Sequence, residues 1–181
     1  MKAMILAAGF GTRLRPLTEE IPKPLVPVLD RRLIEHTIEL LKRSGVEEVV
    51  MNLHHLPEAI PHALGDGTNY GMQFHYIVEE GRIRGTGGGI RGARELFAGD
   101  ETFIVINGDI LLSPNLDDAM SLHRRLGAEA TLVLRPDPRA EAYGSLEVDP
   151  EGRIRRLLGR PEADPGVPLR KLMFSGVHLL E

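Results

Sequence analysis

A glycine-rich segment near the amino terminus is the first feature that could carry chemistry: Gly9-Phe10-Gly11-Thr12-Arg13. Successive backbone N–H groups in such a turn can cradle the oxygens of a phosphate group. Arg13 and Arg15 add guanidinium groups, which bind phosphate through charged hydrogen bonds. A plain tight turn would also account for the two glycines, but it leaves the neighbouring arginines unexplained. The segment therefore favours a site for a phosphorylated ligand.

A lysine held between two prolines is the second such feature. Pro22 and Pro24 restrict the backbone on either side of Lys23, because the pyrrolidine ring fixes φ. The ammonium group is then presented from a rigid support, which suits a charge partner for phosphate. The alternative interpretation is a solvated surface lysine.

An aspartate at the end of an apolar run is the third feature. The run 102–106 is rich in β-branched and apolar residues, and it stops at Asn107-Gly108-Asp109. The glycine leaves room for a cation beside the carboxylate, and Mg²⁺ prefers carboxylate and phosphate oxygens as ligands. An aspartate that caps a turn is the alternative interpretation.

The sequence does not support several other kinds of site. A dinucleotide-binding fingerprint needs a third glycine where Leu14 stands, and Pro16 prevents the helix that should follow. The P-loop pattern and the Gly-x-Ser-x-Gly elbow of serine hydrolases are both missing. His54-His55 fall next to each other on a predicted strand, where neighbouring side chains point to opposite faces, so we expect them to be structural. Asp117 and Asp118 fall in the first turn of a predicted helix, where the dipole favours negative charge.

Composition limits the class of protein. The chain has 181 residues, of which 42% are hydrophobic and 27% charged, so one packed domain is expected. Its 22 lysine and arginine residues face 26 aspartate and glutamate residues, a net charge of −4 without a basic run, so we expect no nucleic-acid partner. No apolar run reaches the roughly 18 residues of a membrane span, and no cysteine is present. We therefore expect a soluble cytoplasmic protein with no membrane partner. No sequence feature indicates an oligomeric state.

Alternating strand and helix patterns must position the three features. Buried strands are predicted at 2–7, 46–53, 73–79, 102–106 and 130–135, and helices at 33–43, 58–64, 90–97 and 115–126. The glycine cluster 85–89 is predicted as a turn. After residue 140, strands at 144–148 and 153–158 flank the turn residues 149–152 and predict a hairpin, and a last strand covers 171–180. Ligands bind at the carboxyl ends of strands in open α/β sheets, where Gly9 and Asp109 both fall.

Two stretches carry a resemblance to a known family. They read Leu-Ala-Ala-Gly-Phe-Gly-Thr-Arg-Leu-Arg-Pro-Leu-Thr at 6–18 and Pro-Lys-Pro-Leu-Val-Pro-Val at 22–28. Together they resemble the signature of the sugar 1-phosphate nucleotidyltransferases. The resemblance implies an α/β, Rossmann-like three-layer sandwich with a mixed, mainly parallel sheet. It also implies transfer of a nucleotidyl group from a nucleoside triphosphate to a sugar 1-phosphate, with Mg²⁺ as cofactor and pyrophosphate as the second product.

The same resemblance assigns roles to individual residues. It implies that Arg13, Lys23 and Asp109 are catalytic and that Asp109 binds the metal. It implies two further sets, one at the nucleotide and one at the sugar. The nucleotide set is Ala8, Gly9, Gly11, Thr12, Arg13, Lys23, Glu80, Gly85 and Gly88, and the sugar set is Asn107, Tyr143, Gly144, Arg160 and Gly176.

Two departures from the family pattern bear on substrate and completeness. Gly159-Arg160-Pro161 stands where members acting on common hexoses carry Glu-Lys-Pro, which removes a carboxylate expected to hold sugar hydroxyls. Gly-Thr-Gly-Gly-Gly-Ile at 85–90 together with Phe-Ser-Gly at 174–176 resembles the uridylyltransferases of N-acetylmuramate 1-phosphate. Guanylyltransferases of mannose or heptose 1-phosphate are close behind, so UTP or GTP is the expected nucleotide. A second metal-binding aspartate of the family would follow residue 180, so we expect residues 1–181 to be a single domain that lacks its C-terminal portion.

Two other functions stay open at this point. A non-catalytic module that binds a nucleotide or a nucleotide-sugar would keep the glycine-rich segment and would not need the second carboxylate. A nicotinamide-dependent dehydrogenase is the third interpretation, and Leu14 in place of a glycine counts against it.

Overall fold

The computed structural model describes residues 1–99, 102–162 and 166–181, without the side chain of Tyr143. The chain divides into two compact units. The first unit contains residues 1–131 and 178–181, and the second contains residues 132–177. Within the described residues, every helix is too short or too polar to cross a membrane.

Short strands and helices alternate along the chain. The strands are β1 Lys2–Leu6, β2 Pro27–Val28, β3 Arg31–Arg32, β4 Glu48–Leu53, β5 Gln73–Val78, β6 Phe103–Asn107, β7 Ala130–Arg135, β8 Ser145–Val148, β9 Ile154–Leu157 and β10 Arg170–Leu180. The helices are α1 Leu17–Glu20, α2 Leu33–Arg43, α3 Ala59–Leu64, α4 Gly85–Ala93, α5 Leu116–Leu126 and α6 Ala140–Tyr143.

A parallel sheet with the strand order β5-β4-β1-β6 forms the centre of the first unit. In β1, Leu6 is in register with Asn52 of β4 on one side and with Asn107 of β6 on the other. The three strands therefore end at the same edge of the sheet. The loops that follow them start side by side there, as expected for a ligand site in an open α/β sheet.

Both faces of this sheet are buried. Met4 packs in one cluster with Ala93 and Phe97, which lie at and beyond the end of α4. Ile106 follows the strand partner of Met4 and so points to the opposite face, where it has no exposed surface. Helix α2 lies on that face, where its residue Leu40 lines a small pocket together with Ile106. Helices on both sides of a sheet give three layers, as predicted.

The second unit is antiparallel. β8 pairs with β9 and also with residues 170–173 of β10, and β7 pairs with β10. The turn between β8 and β9 is closed by a hydrogen bond from the N–H of Gly152 to the carbonyl of Asp149 at 3.0 Å. This is the hairpin that the turn residues predict. Parallel strands in one unit and antiparallel strands in the other make the chain a mixed α/β structure.

The prediction for the glycine cluster 85–89 is wrong. These residues form the first half of α4, and the helix ends at Ala93, before a 3₁₀ turn at Arg94–Leu96. Glycine is a poor helix former, costing about 1 kcal/mol relative to alanine, so propensity favours a turn. The close approach of Gly89 to Asn52 and Glu79, described with the site, overrides that preference. By contrast, the helices 33–43 and 115–126 are confirmed, and the side chain of Asn115 caps the latter by accepting a hydrogen bond from the N–H of Asp118.

Candidate active site

A cleft of about 550 Å³ lies at the carboxyl ends of β1, β4 and β6. This volume is in the range of small-molecule sites. Its lining includes the cations of Arg13 and Lys23 and the carboxylate of Asp109, so the charged groups sum to about +1. The full lining is Leu6, Ala7, Ala8, Gly9, Gly11, Thr12, Arg13, Leu14, Lys23, Pro24, Asn52, Ile83, Gly85, Thr86, Asn107 and Asp109. A cleft of this size and charge suits a phosphorylated ligand.

The glycine-rich segment folds back on itself beside Lys23. Gly11 has φ +64°, a conformation that residues with a Cβ rarely adopt, and its carbonyl accepts a hydrogen bond from the hydroxyl of Thr18 at 2.9 Å. A methyl group at Gly11 would lie 2.9 Å from Cγ2 of Thr18 and 3.1 Å from Cβ of Lys23. Only glycine therefore lets the turn approach the lysine so closely.

Lys23 and Asp109 meet across the cleft. Nζ of Lys23 lies 2.5 Å from Oδ2 of Asp109, and the two side chains are 23% and 33% exposed. They are separated by 86 positions in the sequence. The fold thus brings together two of the three predicted catalytic residues, and both face the cleft together with Arg13.

Gly108 sets the position of Asp109. Its N–H donates to the carbonyl of Leu6 at 3.0 Å, which ties the end of β6 to the end of β1. A methyl group at Gly108 would lie 2.8 Å from Cγ2 of Ile5. The absence of a side chain therefore allows the carboxylate to follow directly beside β1.

Two buried polar side chains that sequence reasoning missed hold the walls of the cleft. Asn52, at 4% exposure, accepts a hydrogen bond from the N–H of Ala7 and donates to Oε1 of Glu79. Glu79, at 2% exposure, accepts with Oε2 from the N–H of Arg84. One network thus links the exit of β1, the end of β4 and the start of α4. The signal that could have found it is a polar residue at the end of an apolar strand, the same signal that identified Asp109.

Gly89 explains why α4 can be rich in glycine. A methyl group at Gly89 would lie 2.8 Å from Nδ2 of Asn52 and 3.0 Å from Oε1 of Glu79. The helix therefore approaches the buried network by contributing a residue without a side chain. This approach brings Gly85 and Thr86, at the start of the helix, to the lining of the cleft.

Most, but not all, of the residues predicted to bind the nucleotide line the cleft. Ala8, Gly9, Gly11, Thr12 and Gly85 line the cleft with Arg13 and Lys23. Glu80 is exposed and is not part of the lining, and Gly88 borders a different pocket. The structure thus gathers most of this set, while the buried residue next to Glu80, Glu79, takes part in the wall.

His54 and His55 follow the end of β4, so they do not lie on the strand on which they were expected. Nδ1 of His54 donates to the carbonyl of Glu79 at 2.7 Å, and Nε2 of His55 donates to the carbonyl of Thr18 at 2.6 Å. Both rings contact the ring of Phe10, at centroid distances of 5.3 and 5.7 Å. The two histidines therefore pack against Phe10 of the glycine-rich segment.

Comparison with known proteins shows which family this chain belongs to. A family model described as Nucleotidyl transferase matches residues 2–180. The chain belongs to this family. Of the curated relatives, the N-acetylmuramate alpha-1-phosphate uridylyltransferase of Neisseria meningitidis is 39% identical over 183 residues, covering 99% of this chain and 74% of the relative. The mannose-1-phosphate guanylyltransferase of Mycobacterium tuberculosis is 36% identical over 165 residues, covering 90% of this chain and 45% of the relative.

The fold of this nucleotidyl transferase chain is also found in solved structures. A UDP-glucose pyrophosphorylase complexed with UDP-glucose superposes with a TM-score of 0.78 at 23% identity, covering 99% of this chain and 75% of that one. The predicted Rossmann-like three-layer fold with a mixed, mainly parallel sheet is thereby confirmed, as is the predicted family. The chain spans about half the length of several curated relatives that it matches.

The residues that the family resemblance assigns to the sugar fall in both units. Asn107 lines the cleft of the first unit. Gly144, Arg160 and Gly176 belong to the second unit. Gly144 has φ +88°, and a methyl group there would lie 2.6 Å from Cδ2 of Leu158, so it is needed for the β8–β9 hairpin itself. The backbone of Arg160 pairs with that of Leu157. The side chain of Tyr143 lies outside what the structure describes.

A metal ion in this family's site would have to use few protein ligands. Among the described residues, no three histidine, aspartate or glutamate side chains form a cluster that could hold one. Asp109 offers one carboxylate at the cleft, beside the cation of Lys23. Mg²⁺ is commonly bound by one or two carboxylates together with water and substrate phosphates. The donor set therefore fits an ion that arrives with a nucleotide, not one held by the protein alone.

Proposed function

We propose that this protein joins a nucleoside triphosphate to a sugar 1-phosphate, giving a nucleoside-diphosphate sugar and pyrophosphate. The observation that supports this most directly is the set of Arg13, Lys23 and Asp109 around one cleft, with Lys23 and Asp109 at 2.5 Å. Family membership supports it independently. The cleft has two cations for phosphate oxygens, a carboxylate for a metal, and no need of a nucleophilic side chain.

The reaction needs positioning and neutralisation of charge. An oxygen of the sugar phosphate attacks the α-phosphorus of the nucleotide. The bond from that phosphorus to the bridging oxygen breaks, and the electron pair leaves with pyrophosphate. Lys23 would neutralise the α-phosphate and the incoming sugar phosphate, and Arg13 would bind the departing pyrophosphate. Backbone groups of Gly9 and Gly11 would hold the triphosphate.

Mg²⁺ would be held by Asp109 and the nucleotide phosphates, where it supplies Lewis-acid stabilisation of charge on the phosphoryl oxygens. Asn52 and Glu79 act as positioning residues, because they fix the backbone at Ala7 and Arg84. We propose UTP or GTP as the nucleotide, because the named relatives include a uridylyltransferase and a guanylyltransferase. Because nucleoside triphosphates are the substrates, we propose that the protein works in the cytoplasm.

Release of pyrophosphate tests the proposal. The chain is incubated with Mg²⁺, with UTP or GTP, and with N-acetylmuramate 1-phosphate or mannose 1-phosphate. We expect release with one pair and a loss of at least about 100-fold in Asp109→Asn, which removes one charge at nearly constant volume. Asp117→Asn, an exposed aspartate at the start of α5, is the matched control and should keep the parental rate.

Two outcomes would contradict this function. Equal release by Asp109→Asn and the parent would remove Asp109 from the chemistry. Binding of a nucleoside triphosphate without release of pyrophosphate from any pair would favour a non-catalytic binding module. Calorimetric titration of the same samples distinguishes this second result from a protein that does not bind nucleotides at all.

A further inference from the structure

A second pocket, separate from the cleft, lies on the exposed side of α4. Its volume is about 640 Å³, and Ile83 is the residue that it shares with the lining of the cleft. The charged residues of its lining are Arg82, Arg84, Arg91, Arg94 and Glu95. We call it the arginine pocket. Four guanidinium groups and one carboxylate give it a charge of about +3, in a chain whose net charge is −4.

The charges of these four arginines are not neutralised within the described part of the chain. Within the described part of the chain, none of their guanidinium groups forms an ion pair, and all four residues are exposed. Like charges gathered around one concave surface repel one another, and a concave surface concentrates their field. The arrangement is therefore unfavourable without an anion and favourable with one.

Arg84 is held in place along the helix. A methyl group at Gly88 would lie 2.6 Å from Cβ of Arg84, and one at Gly92 would lie 3.4 Å from its Nη1. The side chain therefore runs over two glycines one helical turn apart, at positions where each glycine costs about 1 kcal/mol of helix stability relative to alanine. The N–H of Arg84 is bound by the buried carboxylate of Glu79. The guanidinium group is thus presented to the pocket from a fixed backbone.

We propose that the arginine pocket binds a small anion with two or more phosphate groups. Guanidinium groups bind phosphate oxygens in pairs, so four of them can serve a polyphosphate better than a single phosphate. The four arginines line one pocket, whereas binding of a nucleic acid uses many contacts along its phosphate backbone. Among the described residues, this site shares only Ile83 with the cleft, so it does not depend on the proposed function, and both sites can be occupied together.

Calorimetric titration with inorganic tripolyphosphate, in buffer without divalent metal, tests the proposal. The variant Arg91→Gln/Arg94→Gln removes two charges of the pocket without touching the cleft. Arg124→Gln/Arg125→Gln removes two exposed charges at the end of α5 and is the matched control. Arg13→Gln removes a cation from the cleft. We expect the pocket variant to lose affinity by at least about tenfold, while the control and Arg13→Gln keep a site of parental affinity. Orthophosphate should bind more weakly than tripolyphosphate.

The alternatives give different results. Unchanged affinity in Arg91→Gln/Arg94→Gln, or loss in Arg13→Gln alone, would mean that the anion occupies only the cleft, which overturns the proposal. Equal loss in the pocket variant and in the α5 control would show a nonspecific effect of net charge and also overturns it. Absence of binding by the parent at millimolar concentrations has the same consequence. Circular dichroism and thermal melting without ligand confirm that the variants, all at exposed positions, remain folded.

Discussion

In the second unit, several arginines form ion pairs with carboxylates. Asp137 lies 2.8 Å from a guanidinium nitrogen of Arg135 and 3.2 Å from one of Arg139, and Asp149 lies 2.7 Å from one of Arg155. In the first unit, Arg13 and the arginines of the arginine pocket have no carboxylate partner among the described residues, and each borders a concave surface. A paired guanidinium group therefore contributes to the fold, whereas an unpaired one beside a pocket is available to a ligand.

Buried polar groups show the same division. In the first unit, Asn52 and Glu79 use their hydrogen bonds to hold backbone around the cleft. In the second unit, the carboxylate of Asp149 accepts from the N–H of Arg153 at 2.8 Å and so closes its own hairpin turn. In both units a buried acid fixes backbone, and in the first unit the fixed segments border the cleft.

Replacing Glu79 with alanine should give the largest effect on stability. The change leaves Nδ2 of Asn52 and the N–H of Arg84 without their acceptor, and each unsatisfied buried group costs about 1 to 3 kcal/mol. We expect the free energy of unfolding in urea to fall by about 3 kcal/mol. Glu80→Ala, at the exposed neighbouring position, should change it by less than about 0.5 kcal/mol.

Equal effects of Glu79→Ala and Glu80→Ala would contradict the role of the buried network. Glu79→Gln sharpens the test, because the amide keeps an oxygen for Asn52 but turns an N–H group toward that of Arg84. We expect it to be intermediate in stability and to weaken nucleotide binding, since the segment at Arg84 lies next to Ile83 of the cleft.

Replacing Lys23 tests whether an ion pair inside the cleft serves the fold or the ligand. Unlike the arginines beside the pockets, Lys23 has a carboxylate partner, Asp109. The pair with Asp109 is partly exposed, and such pairs contribute at most about 1 kcal/mol to stability. We expect Lys23→Ala to leave the urea midpoint nearly unchanged. Turnover and affinity for the nucleoside triphosphate should fall by about one to two decades through loss of a charged contact with phosphate.

Lys42→Ala, at an exposed lysine of α2, is the control for the loss of one positive charge. It should change neither property. A strong loss of stability in Lys23→Ala with ligand affinity intact would assign the Lys23–Asp109 pair to the fold, as in the second unit, and would refute its proposed role.

Much of the first unit follows from the sequence because local and tertiary preferences agree there. The spacing of Leu33, Ile34, Ile38, Leu40 and Leu41 predicts α2, and in the structure all of them except the partly exposed Leu40 are buried. The end of β6 at Asn107 places Asp109 at the sheet edge, as the apolar run predicts. The meeting of Lys23 with Asp109, separated by 86 positions, depends on the parallel register of β1 and β6, which no local pattern contains.

The start of α4 is where sequence reasoning fails, and the reason is physical. Four of the five residues at 85–89 are glycine, which has the lowest helix propensity apart from proline, so a local prediction gives a turn. The helix forms because Glu79 accepts the N–H of Arg84 and because Gly89 fits against Asn52. The hydrogen bond from Arg84 to Glu79 spans only five positions, but Gly89 lies against Asn52 of β4, so Gly89 reflects a tertiary requirement and not a local one.

The pH dependence of stability is the smallest effect, and it tests the second unit. Burial alone would raise the pKa of Asp149, but the N–H of Arg153 and the guanidinium group of Arg155 outweigh burial and hold that pKa below its ordinary value of 3.8. A carboxyl group with a lowered pKa stabilises the folded state above its unfolded pKa, and this contribution is lost as the pH falls through the folded pKa. Asp149→Asn should therefore lower the urea midpoint at pH 7, and its difference from the parent should shrink as the pH falls below about 4. Glu151→Gln, at an exposed position of the same turn, should follow the parent throughout.

A difference between Asp149→Asn and the parent that stays constant down to the lowest pH would mean that the hairpin depends on the shape of this side chain and not on its charge. The second unit would then no longer be an example of arginines committed to the fold by ion pairs.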